Sequence, residues 1–193
     1  MEKIKEIDGN DLDNVLLSDL VVEGYYDYFE ITNCIINKCD FSKSNLQGID
    51  ISDTKISFSN FSNVDLSSRS YKKTNFDDCN LVGIDFNSSF LEDVIFNKCN
   101  LSYCNFSGCN LKNVKFIDCK LDDGSFNEIK WKALEFNNCS MESVEFIHTK
   151  LKDIDLSDCN IKDLRVPVEN LKGLIVSYEQ ALGLSLLLGI KIK

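Results

Sequence analysis

Every fifth residue from Ile31 to Val176 is hydrophobic, thirty positions in succession without an exception. For a chain that is 44% hydrophobic, chance produces such a run with a probability of about 10^-11, so the beat is a true repeat. Between residues 74 and 118 the units read TNFDD, CNLVG, IDFNS, SFLED, VIFNK, CNLSY, CNFSG, CNLKN and VKFID. A large residue stands at each centre (Phe76, Leu81, Phe86), a small or β-branched one two places earlier (Thr74, Cys79, Ile84), and polar residues, mostly Asn or Asp, fill the rest. A strand alternates with a period of two and a helix with 3.6, so neither keeps a period of five facing inward. The chain must turn a corner in every unit.

Units that turn corners build a coil, and side-chain identity sets how many make one turn. The centres alternate Phe and Leu from Phe76 to Phe126, a beat of ten, while Cys39, Cys79, Cys99, Cys119, Cys139 and Cys159 are separated by multiples of twenty. Twenty residues per turn gives four sides, named below by their centres Leu111, Phe116, Leu121 and Phe126. Two opposite sides then carry mostly Phe and the other two mostly Leu, with Tyr71, Trp131 and Met141 as variants, which fills a narrow square interior to native density.

With these units the chain resembles the pentapeptide-repeat family. The resemblance runs from about Phe29 to Val166 and implies an all-β solenoid, a right-handed quadrilateral β-helix of about seven coils with a C-terminal capping and dimerisation α-helix. It divides the chain into an acidic N-terminal segment and cap (1–28), the β-helix (29–168) and a C-terminal helix and dimerisation tail (169–193). In the first segment Leu16, Val21 and Tyr26 keep the beat while Asn14 and Asp19 spoil the inner slot, which predicts an irregular coil capping the rod behind a loose acidic tail. Eight acidic and two basic residues in that segment supply −6 of the net charge of −10.

At the other end Ser177 and Gln180 form a capping box and Gly189 a stop, predicting a helix over Tyr178–Leu188. Tyr178, Ala181, Leu182, Leu184, Leu186, Leu187 and Leu188 are too many apolar residues for one stripe against the rod. A second apolar face, with Ile190, is expected to be buried in a homodimer. The tail pattern V-S-x-E-Q-A followed by L-L-L-G-I also resembles the Qnr and MfpA branch of the family. That resemblance implies a tail-to-tail dimer and a DNA-like, acidic rod that binds type II topoisomerases (DNA gyrase, topoisomerase IV) and protects them from quinolones or inhibits them. The register holds from Phe29 onward, so the inserted loops of some Qnr proteins are absent and the loop-free MfpA arrangement is the closer comparison.

All nine cysteines occupy the inward slot two before a centre, five or twenty residues apart along a wall, which predicts reduced, buried thiols packing as small hydrophobes. His148 is the only histidine and falls in an outward slot; with no phosphate loop and no interior cavity expected, the chain reads as non-enzymatic, without cofactor or metal. The start lacks a signal-type apolar run and LSLLLGI is too short to span a bilayer, so a cytoplasmic protein without membrane contact is expected.

Outward charges sort by side. The Phe116 side carries Asp77, Asp78, Asp118, Glu135, Asp155 and Asp158 against Lys38, Lys55, Lys98 and Lys115, and the Leu121 and Phe126 sides are net acidic too. These carboxylates are the candidate partner-binding face. The Leu111 side differs, with Lys112, Lys130, Lys132, Lys150, Lys152 and Lys172 along its carboxyl half, a solvated face or one that meets an acidic partner. So acidic a chain is not expected to bind nucleic acid directly. The alternative to a topoisomerase partner is a structural or scaffold module with an unrelated one. Two irregularities stand out: Arg69 occupies an inward slot and needs an escape or an acidic neighbour such as Asp50, and Phe58, Phe90, Ile95 and Tyr103 suggest an exposed apolar patch.

Overall fold

The computed structural model describes residues 1–4, 7 and 9–191, without the side chains of residues 3 and 4. Stacked segments pair in parallel with an offset of twenty: Tyr71 lies beside Leu91, Leu91 beside Leu111 and Leu111 beside Trp131, while Phe76, Phe96, Phe116 and Phe136 form a second column. The chain is therefore the four-sided β-solenoid that the repeat predicts. The strands Phe90–Asn97, Asn110–Ile117 and Lys130–Asn137 run around the corner shared by the Leu111 and Phe116 sides. On the other two sides contact is reduced to single bridges such as Asn80 to Asn100 and Asp85 to Asn105.

The cause of that difference is a local side-chain bond. The residue before the centre on those sides is usually Asn or Asp, and its Oδ1 accepts the N–H two residues on: Ser102 donates to Asn100 (3.2 Å), Ser107 to Asn105 (3.0 Å) and Asn87 to Asp85 (2.8 Å). Such Asx turns compete with strand pairing and shorten the ladder. The corner itself falls two residues after each centre, where the backbone is left-handed: Asn113, Asp118, Asp123 and Glu128 have φ of 52°, 52°, 57° and 57°. Asn and Asp tolerate this region best, and Gly108 adopts it at φ 69°. Phe58 (φ 51°) and Tyr103 (φ 62°) hold the same backbone with bulky side chains.

Phenylalanine rings stack along the interior. Phe76, Phe96, Phe116 and Phe136 stack with centroids 4.9–5.1 Å apart, Phe86, Phe106 and Phe126 do so at 5.0–5.1 Å, and rings of the two columns meet edge to face, as Phe96 and Phe106 do at 5.9 Å. All seven are buried. The inward slot takes Cys, Ser or Thr because its S–H or O–H reaches carbonyls that face the interior: Cys99 donates to Phe76 O (3.3 Å), Thr149 to Phe126 O (2.7 Å) and Ser89 to Leu66 O (3.1 Å). All nine cysteines are free and buried.

After Pro167 a 3-10 turn, Val168–Leu171, leads to α1, Tyr178–Ser185, followed by a second 3-10 turn, Leu186–Leu188, that ends at Gly189 with φ 73°. The capping box is formed: Gln180 N–H donates to Ser177 Oγ (3.3 Å) and Ser177 N–H to Gln180 Oε1 (2.7 Å). The Gln180 Nε2 donates in turn to the carbonyls of Leu156 (2.8 Å) and Cys159 (2.7 Å), which fastens the helix to the end of the rod.

The structure departs from the sequence expectations at five points. The regular solenoid has about six turns rather than seven. Among the described residues no bridge joins Lys130–Asn137 to the coil that follows, and pairing resumes only at Ser140 with Asn160. Second, the first coil runs one residue out of the expected register. Leu12 pairs with Ile31 and Leu17 with Ile36, an offset of nineteen, so Leu12, Leu17 and Val22 are buried while Val21 is 66% exposed and Leu16 and Tyr26 are half-buried. The shift is absorbed between Val21 and Glu23, after which the offset is twenty. Ahead of it Glu2–Ile4 forms a strand beside Val15–Leu17 instead of a loose tail; Lys5, Glu6 and Asp8 of the acidic segment lie outside the described residues.

Third, Arg69 turns its guanidinium over the ring of Tyr28, 5.0 Å from the centroid, and Asp50 accepts the N–H of Ser70 (2.8 Å). A cation over an aromatic face keeps the charge partly solvated, which an inward carboxylate pair would not. Fourth, the four irregular apolar residues form no single patch. Phe90 and Ile95 are half-buried on the Leu111 and Phe116 sides, Phe58 sits at the corner after Ile56 and Tyr103 at the corner after Leu101. Last, the unpaired joint opens a surface cleft on the Leu111 side that the repeat does not predict.

Candidate functional site

The candidate face is assembled by the turn of twenty. Asp78 and Asp118 occupy one corner column, two coils apart and so about 10 Å from each other, with Lys98 between them, while Asp158 follows beyond the unpaired joint and does not share their left-handed corner backbone. Asp77, Glu135 and Asp155 precede or follow the centres of the same side.

Their surroundings separate them. Asp77 is half-buried and accepts from Asn97 Nδ2 (3.0 Å), and Glu135 is paired with Lys115 at 3.0 Å. Glu135 is thus neutralised by its partner, while Asp77 keeps its charge but is less exposed. Asp78, Asp118, Asp155 and Asp158 are exposed, and among the described residues no cation pairs with them. Asp118 accepts from Asn138 Nδ2 (2.7 Å) and Asp158 from the Cys159 thiol (3.3 Å). Asp155 accepts the Ser157 N–H (2.9 Å), and hydrogen bonds from the Ser157 side chain and backbone hold its carboxyl below the ordinary value. Four of the six expected carboxylates are thus exposed on this side, two of them, Asp78 and Asp118, in one corner column.

The remaining acidic sides are more neutralised. On the Leu121 side Lys162 pairs with Glu142 (2.7 Å) and lies 3.8 Å from Asp163, and Lys120 lies 3.7 Å from Asp122. On the Phe126 side Arg165 pairs with Glu145 (3.0 Å) and reaches Asp123 at 4.0 Å. The Leu111 side confirms the lysine line in position, but only Lys112 has a carboxylate partner, Glu92. Among the described residues no carboxylate pairs with Lys130, Lys132, Lys150, Lys152 or Lys172.

The tail leaves its apolar residues uncovered. Tyr178, Leu182, Leu186, Leu187, Leu188 and Ile190 are exposed, as is Ala181, while Leu184 is half-buried against the core. A groove of about 440 Å³ runs between α1 and the Leu121 side, lined by Ile161, Leu164, Leu184 and Leu187 among others. No helix among the described residues is long and apolar enough to cross a membrane. The feature that sequence reasoning missed is the opened joint at Trp131. Its only signal was an indole standing where the alternation calls for Leu.

Two family models match the chain: the pentapeptide repeat region over residues 69–146 and 89–166, and pentapeptide repeats (8 copies) over residues 32–68. Among solved structures, a trypsin-treated variant of QnrB1, described as a plasmid-mediated fluoroquinolone resistance protein, is 18% identical, with 92% of this chain and 98% of that chain covered and a TM-score of 0.43. A pentapeptide repeat protein from the Arabidopsis thaliana thylakoid lumen is 18% identical over 59% of this chain and 69% of its own, with a TM-score of 0.39. HetL, a pentapeptide repeat protein involved in heterocyst differentiation regulation in the cyanobacterium Nostoc, is 14% identical over 89% and 92%, with a TM-score of 0.34. No curated protein sequence matches.

Proposed function

This chain belongs to the pentapeptide-repeat family, and from that premise we propose that it is a non-enzymatic binding protein that presents an acidic, DNA-like side to a type II topoisomerase. The observation that carries the reading is the set of exposed, cation-free carboxylates Asp78, Asp118, Asp155 and Asp158 on one side of a rod packed with phenylalanine. A protein that grips duplex DNA offers Lys and Arg in a groove, and carboxylates spaced along a rod complement such a groove at long range and steer encounter. The tail supports the same reading. Its sequence resembles the Qnr and MfpA branch, and its exposed leucines suit a tail-to-tail homodimer that doubles the length of the acidic surface. Protection of the enzyme from quinolones or its inhibition is the proposed consequence, in the cytoplasm where gyrase and topoisomerase IV act.

The test is direct association with purified gyrase, using the wild type and an Asp78→Lys/Asp118→Lys/Asp155→Lys variant. Binding by the wild type that weakens at least tenfold in the variant and falls with added salt is the expected result. Equal binding by both proteins excludes the acidic column as the contact. No binding by either leaves the chain a scaffold for another partner. Light scattering tests the dimer: Leu186→Glu/Leu188→Glu is expected to be monomeric where the wild type has twice the chain mass.

A further inference from the structure

The alternation of centres places Leu at 91, 111 and 151 on one side and Trp at 131 between them. The three leucines are fully buried, whereas Trp131 is half-buried and donates its indole N–H to the carbonyl of Lys150 at 2.9 Å. At the equivalent step on the next side a backbone N–H does this, as Leu101 N–H reaches Lys120 O and Leu121 N–H reaches Ser140 O. An indole is too bulky for a slot built for Leu, and overpacking is relieved by moving the neighbours. The coils separate at this joint and leave a cleft of about 740 Å³, floored by Ile129 and lined by Trp131, His148, Lys130, Lys150 and Lys152, with Glu128 the one carboxylate on its wall. Its volume lies within the range of small-ligand sites, roughly 300–1,000 Å³.

We infer that this cleft binds a nucleoside phosphate, with the aromatic ring of the ligand against Trp131 and its phosphates among Lys130, Lys150 and Lys152. The lysines carry the argument for a strongly charged anion: three of them line the cleft against one carboxylate, Glu128, and among the described residues none of the three has an ion-pair partner. Ammonium groups bind phosphate as point charges and need no fixed fork. The indole carries the argument for a planar group, because its ring offers a flat, polarizable platform and its N–H is already engaged with Lys150. His148, at the corner beside the cleft, adds a hydrogen-bonding ring within reach of the same space. The cleft lies on the Leu111 side, away from the carboxylate column of the Phe116 side, so the inference stands whether or not a topoisomerase is the partner.

Trp131 is the only tryptophan of the chain, so its fluorescence reports this cleft alone. The experiment titrates adenosine, AMP, ATP, inorganic phosphate and a glutamate-rich peptide into the full-length wild type, a Lys130→Ala/Lys150→Ala/Lys152→Ala variant and a charge-matched Lys38→Ala/Lys55→Ala/Lys98→Ala control. Saturable quenching that strengthens from adenosine to AMP to ATP is expected. The cleft variant, folded by circular dichroism, is expected to bind ATP roughly tenfold or more weakly while the control stays within about twofold. The inference is overturned if ATP gives no saturable change, if adenosine or phosphate alone binds as well as ATP, or if both variants lose affinity equally. Tighter binding of the glutamate-rich peptide than of ATP overturns it in favour of an acidic protein partner.

Discussion

The indole N–H of Trp131 donates to the backbone carbonyl of Lys150 at 2.9 Å, and that one bond marks the place where the solenoid stops pairing on two of its sides. The joint is held by a side chain where the strands before it on the same side are held by a ladder. Trp131→Leu is therefore expected to restore the ladder between Lys130–Asn137 and the next coil. Relief of overpacking contributes ~1–3 kcal/mol, partly offset by the lost indole contacts. A net rise in melting temperature of about 2–4 °C, with slower amide exchange across Lys130–Asn137, is the expected outcome of thermal melts and hydrogen exchange. An unchanged melt with unchanged exchange would contradict the steric account of the opening.

The interior and the corners should respond in opposite directions to losing an aromatic ring. Phe106 is fully buried and stacked on Phe86 and Phe126, so Phe106→Ala is expected to cost ~3–5 kcal/mol in urea unfolding. Phe58 is 60% exposed in a left-handed corner, where Asn is the better residue. Phe58→Asn is expected to be neutral or to stabilise by up to ~1 kcal/mol.

Much of this was legible in the sequence, because a five-residue beat with a twenty-residue identity pattern leaves one way to stack the units. The helix start was legible too, since Ser177 and Gln180 are local neighbours whose bonds depend on little else. What could not be read depended on volume or on a single omitted residue. Leu16 and Leu17, and Val21 and Val22, offer two registers of equal hydrophobicity, and only the short corner between Val21 and Glu23 selects the second. Periodicity counts Trp131 as one more hydrophobe and is blind to its size. The partner of Arg69 was hidden for the same reason as the first register, because Tyr28 belongs to the irregular coil. For the candidate face, the side on which each charge stands followed from the repeat, but the pairing that removes Glu135 from it required the reach of Lys115.

Acid should act through paired carboxylates. Hydrogen bonds from Arg165 and Asn127 hold Glu145 below its ordinary value of 4.5. A carboxyl whose pKa is depressed by folding contributes stability above pH 4.5, and that contribution is lost as the pH falls through the lower folded value. Urea titrations at successive pH values are expected to show stability falling below about pH 4.5, with a shallower slope in Glu145→Gln. The same slope in both proteins would remove Glu145 from the account.

Alkali should act through the thiols. Burial pushes Cys109 up to about 12 from the ordinary 9.0 and raises Cys104 further. The folded chain keeps protons that the unfolded chain releases, so this contribution is whole below pH 9 and is lost as the pH rises above it. At pH near 8 a disulfide reagent is expected to leave all nine cysteines untouched in the native protein and to titrate them in denaturant. Rapid native reaction at any of the nine would show an open wall.

The central claim is that the acidic side engages a type II topoisomerase, and a supercoiling assay with purified gyrase tests it most directly. The protein is titrated with and without a quinolone, alongside the Asp78→Lys/Asp118→Lys/Asp155→Lys variant. The account predicts inhibition of supercoiling or relief of quinolone inhibition by the wild type, and loss of that effect in the variant. No effect of the wild type in either arm, with gyrase from the protein's own host, would contradict it.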